Sequence, residues 1–61
     1  MSDYQAVGIA EGFVECPDED TFIAAWQHLI NTGLAWRLQG WFGRHARDLI
    51  EAGICQQNEE N

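Results

Sequence analysis

The stretch "DEDTFIAAWQHLINTGL", Asp18 to Leu34, carries the clearest structural pattern in this chain. Its large apolar side chains recur three and four positions apart, as they do on a helix with one buried face. These side chains are Phe22, Ile23, Trp26, Leu29 and Ile30. Pro17 suits a first helical turn, and the acids after it complement the positive end of the helix dipole. Gly33 followed by Leu34 is typical of a helix that ends at a glycine. The sequence therefore predicts a helix over 18–32.

On the N-terminal side, a second apolar arc at helical spacing predicts a helix over about 3–15. The residues expected to face inward are Ala6, Val7, Ile9, Ala10, Phe13 and Val14. Gly8 and Gly12 each weaken a helix by about 1 kcal/mol relative to alanine. A strand across "AVGIA", residues 6–10, therefore remains an alternative for this segment.

On the C-terminal side, we expect a short linking helix over 34–39 and a third long helix over 41–52. Gly40 and Gly43 are expected to bend the chain between these two helices. The residues expected to face inward from the last helix are Phe42, Ala46, Leu49 and Ile50. "LINTGL" and "LIEAGI" lie 20 residues apart, which indicates either a decayed repeat or two helices that end in the same way. Residues 56–61 form a polar tail.

These elements predict one all-α domain over residues 1–61, a small three-helix bundle with a short linking helix. A chain of 61 residues buries only about 60% of the surface that it exposes when unfolded. Its hydrophobic content of 46% and its seven aromatic side chains exceed what such a small core covers. We therefore expect the protein to be homo-oligomeric.

The formal net charge of −7 argues against direct binding to nucleic acid, because a phosphate backbone would be repelled. An acidic surface can instead mimic nucleic acid or meet a basic patch on another protein, and both remain open. No apolar run is long enough to cross a membrane, and no leader sequence is recognisable. We expect a soluble, intracellular protein with no membrane contact and with both cysteines reduced.

Four residues have side chains that could bind zinc, namely Cys16, His28, His45 and Cys55. Their separations of 12, 17 and 10 residues match no zinc finger or ribbon, whose ligands come in pairs two to five residues apart. No nucleophile motif, phosphate-binding loop or metalloprotease motif is present. The sequence therefore predicts neither an enzyme nor a metal or cofactor site, and it names no catalytic residue.

All the basic charge lies within "GLAWRLQGWFGRHAR", Gly33 to Arg47, together with two of the three tryptophans. One interpretation is local ion pairing, of Arg44 with Asp48 and of Arg47 with Glu51. The cation precedes the acid in both pairs, which is the weaker order on a helix. A helix that begins near residue 41 also places Arg44 at the positive end of its dipole, where a cation is disfavoured.

The other interpretation is an interface, because arginine and tryptophan are enriched among the residues that dominate protein binding. We predict that Arg37, Trp41, Arg44 and Arg47 bind a partner protein. The opposing interpretation is that the same residues form the contact of a homo-oligomer.

The core "FIAAWQHLINTGLAWRLQGWFGRHARDLIEAGIC" resembles a group of small, uncharacterised proteins of tailed bacteriophages that contain a domain of unknown function. The resemblance lies in "LI..TGLAW.LQG" at residues 29–40, the aromatic-Gly-Arg step at 42–44 and "LIEAG" at 49–53. It covers about 35 of the 61 residues and leaves out the N-terminal segment and the tail "CQQNEEN".

The resemblance implies a phage accessory gene whose product is made in the cytoplasm of the bacterial host. By analogy with other small acidic phage proteins, we expect it to bind a host protein and inhibit or redirect it. Host takeover and inhibition of defence systems, as by anti-CRISPR proteins, are the expected settings. The alternatives are a structural or assembly protein that self-associates and, more remotely, a nucleic-acid mimic.

Overall fold

The computed structural model describes residues 1–13, 15 and 18–57. These residues form four α-helices and no strand: α1 (Asp3–Glu11), α2 (Glu19–Thr32), α3 (Leu34–Arg37) and α4 (Gly40–Glu51). The predicted all-α architecture, with three longer helices and a short linking one, is confirmed for the described part of the chain. The predicted positions of Val14, Cys16, Pro17 and tail residues 58–61 lie outside it.

Helix α1 forms despite its glycine, so the strand alternative for residues 6–10 is wrong. A capping box holds its start, in which Ser2 Oγ accepts from the backbone N–H of Gln5 at 3.1 Å. Gln5 Oε1 accepts in return from the backbone N–H of Ser2 at 3.2 Å. These two bonds satisfy backbone donors that a helix start otherwise leaves without partners.

The predicted end of α1 at residue 15 is wrong, because the helix stops at Glu11. Gly12 adopts a left-handed conformation with φ of 85°, and its N–H bonds to the carbonyl of Ile9. The N–H of Phe13 bonds to the carbonyl of Gly8 at 2.9 Å, which completes a Schellman ending. This turn removes Phe13 from the inner face, and it is 83% exposed instead of buried as expected.

Helix α2 supplies the centre of the core and begins within one residue of the predicted position. Asp18 caps its start by accepting a hydrogen bond from the backbone N–H of Thr21 at 2.7 Å. Trp26, Leu29 and Ile30 are buried as predicted, while the other two residues of the apolar stripe are half-buried against the core. Gly33 ends the helix with φ of 83°, which confirms the predicted glycine cap.

The turn from α3 into α4 is made by Leu38 and Gln39, whose extended backbone (ψ of −168° and 157°) breaks the helical path. The prediction that Gly40 and Gly43 bend the chain is wrong. Gly40 is the first residue of α4, and Gly43 lies within that helix. The linking helix is therefore a single turn that ends at Arg37, two residues before the predicted end.

All four helices contribute to one hydrophobic core. Its buried members are Ala6, Ile9, Ala25, Trp26, Leu29, Ile30, Ala35, Phe42, Ala46 and Cys55. Trp26 is the largest of them, and its ring centroid lies 5.8 Å from that of Phe42 on α4. Ala6 and Ile9 join from α1, so the N-terminal helix is part of the same packing unit as the other three.

Candidate functional site

A cleft of about 300 Å³ lies where α3 meets the first half of α4. Its lining residues come from α3, from the turn that follows it and from one side of α4. They are Ala35, Trp36, Leu38, Gln39, Gly40, Gly43, Arg44 and Arg47. The cleft therefore lies within the segment that holds all of the basic charge of the chain.

The floor of the cleft depends on a close approach of Trp36 to Gly43. A Cβ atom built on Gly43 would lie 3.5 Å from Cε3 of Trp36 and 3.6 Å from the carbonyl oxygen of Ala35. A Cβ atom at residue 43 would thus be at ordinary contact distance from α3, which shows how closely the indole ring and the backbone of α3 pack beside α4. Trp36 still remains 49% exposed, so a large apolar surface stays open to solvent beside the cleft.

Two of the predicted partner-binding residues, Arg44 and Arg47, line this cleft from consecutive turns of α4. Nη1 of Arg44 lies 3.7 Å from the position that a Cβ atom on Gly40 would occupy, so the guanidinium reaches back over the start of the helix. Both arginine side chains are exposed. The cleft thus has an apolar floor and a basic rim.

The local ion pairs considered for these arginines do not form. Within residues 1–13, 15 and 18–57, the one ion pair is between His28 Nε2 and Asp3 Oδ1, at 2.7 Å. It links α2 to α1 and involves no arginine. Arg44 is the fifth residue of α4 and lies just beyond the first turn, so the dipole of the helix does not favour its charge either. The placement of the arginines therefore adds little to the stability of the isolated chain.

The other two predicted partner-binding residues do not line the cleft. Arg37 is the exposed last residue of α3. Trp41 lies on the side of α4 that faces α2, where its ring makes an edge-to-face contact with Trp26 at 6.2 Å between centroids. It is 37% exposed, less than Trp36.

Sequence reasoning missed Trp36, the aromatic side chain that lines the cleft together with Arg44 and Arg47. Its one sequence signal is its place within the basic stretch, a property that Trp41 shares. The two tryptophans differ in their relation to Gly43, which lies seven residues after Trp36, and a helix of one turn has no periodicity that reveals such packing.

The zinc-type side chains in the described part of the chain have separate structural roles. His45 packs on Trp26 with 4.6 Å between ring centroids, and His28 pairs with Asp3. Cys55 is buried, and this burial raises the pKa of its thiol. No three histidine, cysteine or acidic side chains among the described residues come together in a way that could hold a metal ion.

A comparison with protein families places most of the chain in one of them. Residues 15–60, about three quarters of the chain, match the model of a domain of unknown function, DUF7417. The chain belongs to this family. The match includes α2, α3, α4 and most of the polar tail, so the tail is inside the family region, and α1 precedes it.

No curated protein and no solved structure matches the chain. No helix in the described residues has the length and apolar character needed to cross a membrane.

Proposed function

We propose that this protein is a non-enzymatic accessory protein of a tailed bacteriophage that binds a host protein in the bacterial cytoplasm and inhibits or redirects it. The observation that carries the proposal is the cleft between α3 and α4. There, two exposed arginines without an intramolecular ion pair in the described chain lie beside a half-exposed tryptophan.

The chemistry of this surface suits protein recognition better than internal stabilisation. The guanidinium group is planar and can form two parallel hydrogen bonds with one carboxylate. Arginine and tryptophan also supply a large share of binding energy at protein interfaces. Arg44 and Arg47 supply the first kind of contact at this cleft and Trp36 the second, while Arg37 and Trp41 remain predicted contributors to a wider contact around it.

Self-association is the second candidate, and the exposed apolar side chains favour it. Tyr4, within α1, is 85% exposed and Phe13, just after it, is 83% exposed, and neither lines the cleft. Ile54, just after α4, is also exposed. A homo-oligomer that buries these side chains would leave the cleft free for a host protein. In the alternative function, an assembly protein, the cleft residues themselves would form the contact between copies.

The proposal can be tested by expressing an affinity-tagged form in a bacterial host. We expect the wild-type protein to retain a host protein at a 1:1 ratio and to slow growth. The double variant Arg44→Ala, Arg47→Ala should lose about tenfold or more in this retention, because truncated hot-spot residues cost about 2 kcal/mol or more in binding.

A matched control is Glu11→Ala, which removes a charge from an exposed position on α1 and leaves the residues of the cleft unchanged. It should retain both the host protein and the growth effect. If the double variant instead unfolds or dissociates into monomers while the control stays folded and associated, the arginines are struts of an assembly, and the proposed contact between them and a host protein is wrong.

A further inference from the structure

We propose that the cleft between α3 and α4 binds a short acidic segment of the partner protein, in which carboxylates flank one apolar side chain. This inference rests on the proposed function, since it names the chemistry that the same surface recognises. It follows from the size of the cleft, from the nature of its floor and rim, and from the distribution of charge along the chain.

The size and floor of the cleft select an apolar side chain. Its volume of about 300 Å³ is at the lower end of the range of small-molecule sites, which is about 300–1,000 Å³. Trp36 and Leu38 provide apolar surface, and Gly43 contributes no side chain that would fill the space. An aliphatic or aromatic side chain placed against Trp36 removes apolar surface from water on both partners.

The rim selects carboxylates. Residues 33–47 contain all three basic residues and no acid, whereas all ten acids lie in the rest of the chain. No acid of the described chain lines the cleft, so an acidic group there meets arginines and neutral side chains. Arg44 and Arg47 are three residues apart on one face of α4, so their Cβ atoms are about 5–6 Å apart. Both side chains line the same cleft, so a peptide with two carboxylates can offer one to each arginine.

Net charge favours a peptide segment over the two other acidic occupants. A nucleic acid carries a charge at every phosphate. The two arginines would contact only the nearest phosphates, and the net charge of −7 repels the others. A second copy of this chain also carries a net charge of −7, so its acids outside the contact add a repulsion that a short peptide does not bring. A short segment of a larger partner brings only its local carboxylates.

The test is a titration of the isotope-labelled full chain by nuclear magnetic resonance. The probe is a synthetic peptide with a central leucine flanked by two glutamates on each side. We expect the indole N–H signal of Trp36 to move with added peptide, while that of buried Trp26 stays in place and serves as an internal control.

Two matched peptides separate charge from apolar contact. Replacing the glutamates with glutamines, or the leucine with glycine, should each weaken the binding about tenfold or more.

The variant Arg44→Ala, Arg47→Ala should weaken the binding of the leucine peptide by a similar factor. Arg44→Lys, Arg47→Lys keeps the charge but not the planar fork, so it should restore only part of the affinity. Glu11→Ala, on the exposed side of α1, is the control and should bind the leucine peptide at least as tightly as the wild type does.

The inference is overturned if the glutamate peptide leaves Trp36 unchanged, if the glutamine peptide binds equally well, or if the main shifts lie on α1. An oligonucleotide that moves Trp36 as strongly as the peptide would make nucleic acid the occupant. Shifts at Trp36 on concentrating the protein alone would make it a second copy.

The growth assay separates this inference from the proposed function. If the arginine variants no longer slow growth while no acidic peptide binds to the wild type, the acidic-segment inference is wrong, and the cleft remains the proposed contact with the host protein. If the peptide binds as described while the arginine variants slow growth as the wild type does, the cleft recognises acidic segments, and the proposal that it is the site acting on the host protein is wrong.

Discussion

The side-chain amide of Gln27 pairs with the backbone of Gln56, 29 residues further along the chain. Oε1 of Gln27 accepts from the N–H of Gln56 at 2.8 Å, and Nε2 of Gln27 donates to the carbonyl of Gln56 at 2.7 Å. The segment after α4 is thereby fixed against α2, and the preceding residue, Cys55, is buried in the core.

Replacing Gln27 with alanine should therefore loosen the end of the described chain. We expect a loss of about 1–2 kcal/mol in the free energy of unfolding, because two hydrogen bonds to Gln56 disappear together. The thiol of Cys55 should also react faster with a disulfide reagent, measured in a Cys16→Ala background so that only one thiol is present. Gln57→Ala is the control, since this exposed neighbour makes neither bond. Equal thiol reactivity in the two variants would show that Gln27 does not hold this segment.

Two glycines should respond to alanine in opposite directions. Gly33 has a φ of 83°, a conformation that costs a residue with a side chain about 1–2 kcal/mol, so Gly33→Ala should lower the free energy of unfolding by about that amount. Gly43 lies within α4, and its new Cβ would meet Trp36 at 3.5 Å, an ordinary contact distance. Gly43→Ala should therefore stabilise the chain by up to about 1 kcal/mol. Urea denaturation measures both, and a destabilised Gly43→Ala would mean that α3 approaches α4 more closely than described.

The acid sensitivity of the fold should depend in part on Asp18. Two hydrogen bonds from Thr21 lower the pKa of Asp18 from its ordinary value of 3.8. The larger effect comes from the side chain of Thr21 and the smaller from its backbone N–H. Since the pKa in the folded state is lower than in the unfolded state, this contribution is fully present above the unfolded value. It is lost as the pH falls through the folded value.

Asp18→Asn keeps an oxygen that can cap α2 but removes the titration. The urea midpoint of this variant should fall less steeply than that of the wild type between about pH 6 and pH 2. Glu19→Gln, on the neighbouring exposed acid, is the control. Identical acid dependence in the wild type and in Asp18→Asn would contradict the assignment.

The exposed aromatic residues of the N-terminal segment predict self-association. Light scattering at micromolar concentration should give a mass of about twice the 6.9 kDa of one chain, or a higher multiple. Phe13→Ser should shift this mass toward the monomer while the chain stays folded, because Phe13 is not part of the core. A mass of 6.9 kDa for the wild type at every concentration would contradict the prediction.

Helix α2 was predictable because its apolar spacing, acidic start and glycine ending all indicate the same element. The end of α1 was not, because a helical arc from Ala6 to Val14 looks the same whether or not the chain turns at Gly12. Only the backbone conformation of Gly12 removes Phe13 from that arc. The same reasoning applies to Gly43, because the sequence does not show whether this glycine interrupts a helix or lies within one beside a neighbouring ring.

Part of the candidate site was predictable from charge alone. The concentration of arginines in one stretch pointed to Arg44 and Arg47, and the structure brings both to one cleft. The charge pattern could not show which of Trp36 and Trp41 is the more exposed, since their exposure depends on how α2 and α3 pack on α4. That packing is a property of residues distant in sequence, such as Trp26, which covers part of Trp41.

The recognisable family region and the unit that folds are not the same length. The family match begins at residue 15, yet Ala6 and Ile9 of α1 complete the core around α2. A fragment trimmed to the family boundary would expose part of that core to solvent and should aggregate or bind another apolar surface. Family members that lack an equivalent of α1 would need a different cover for the same face of α2, and the segment that provides it is a natural place for their binding properties to diverge.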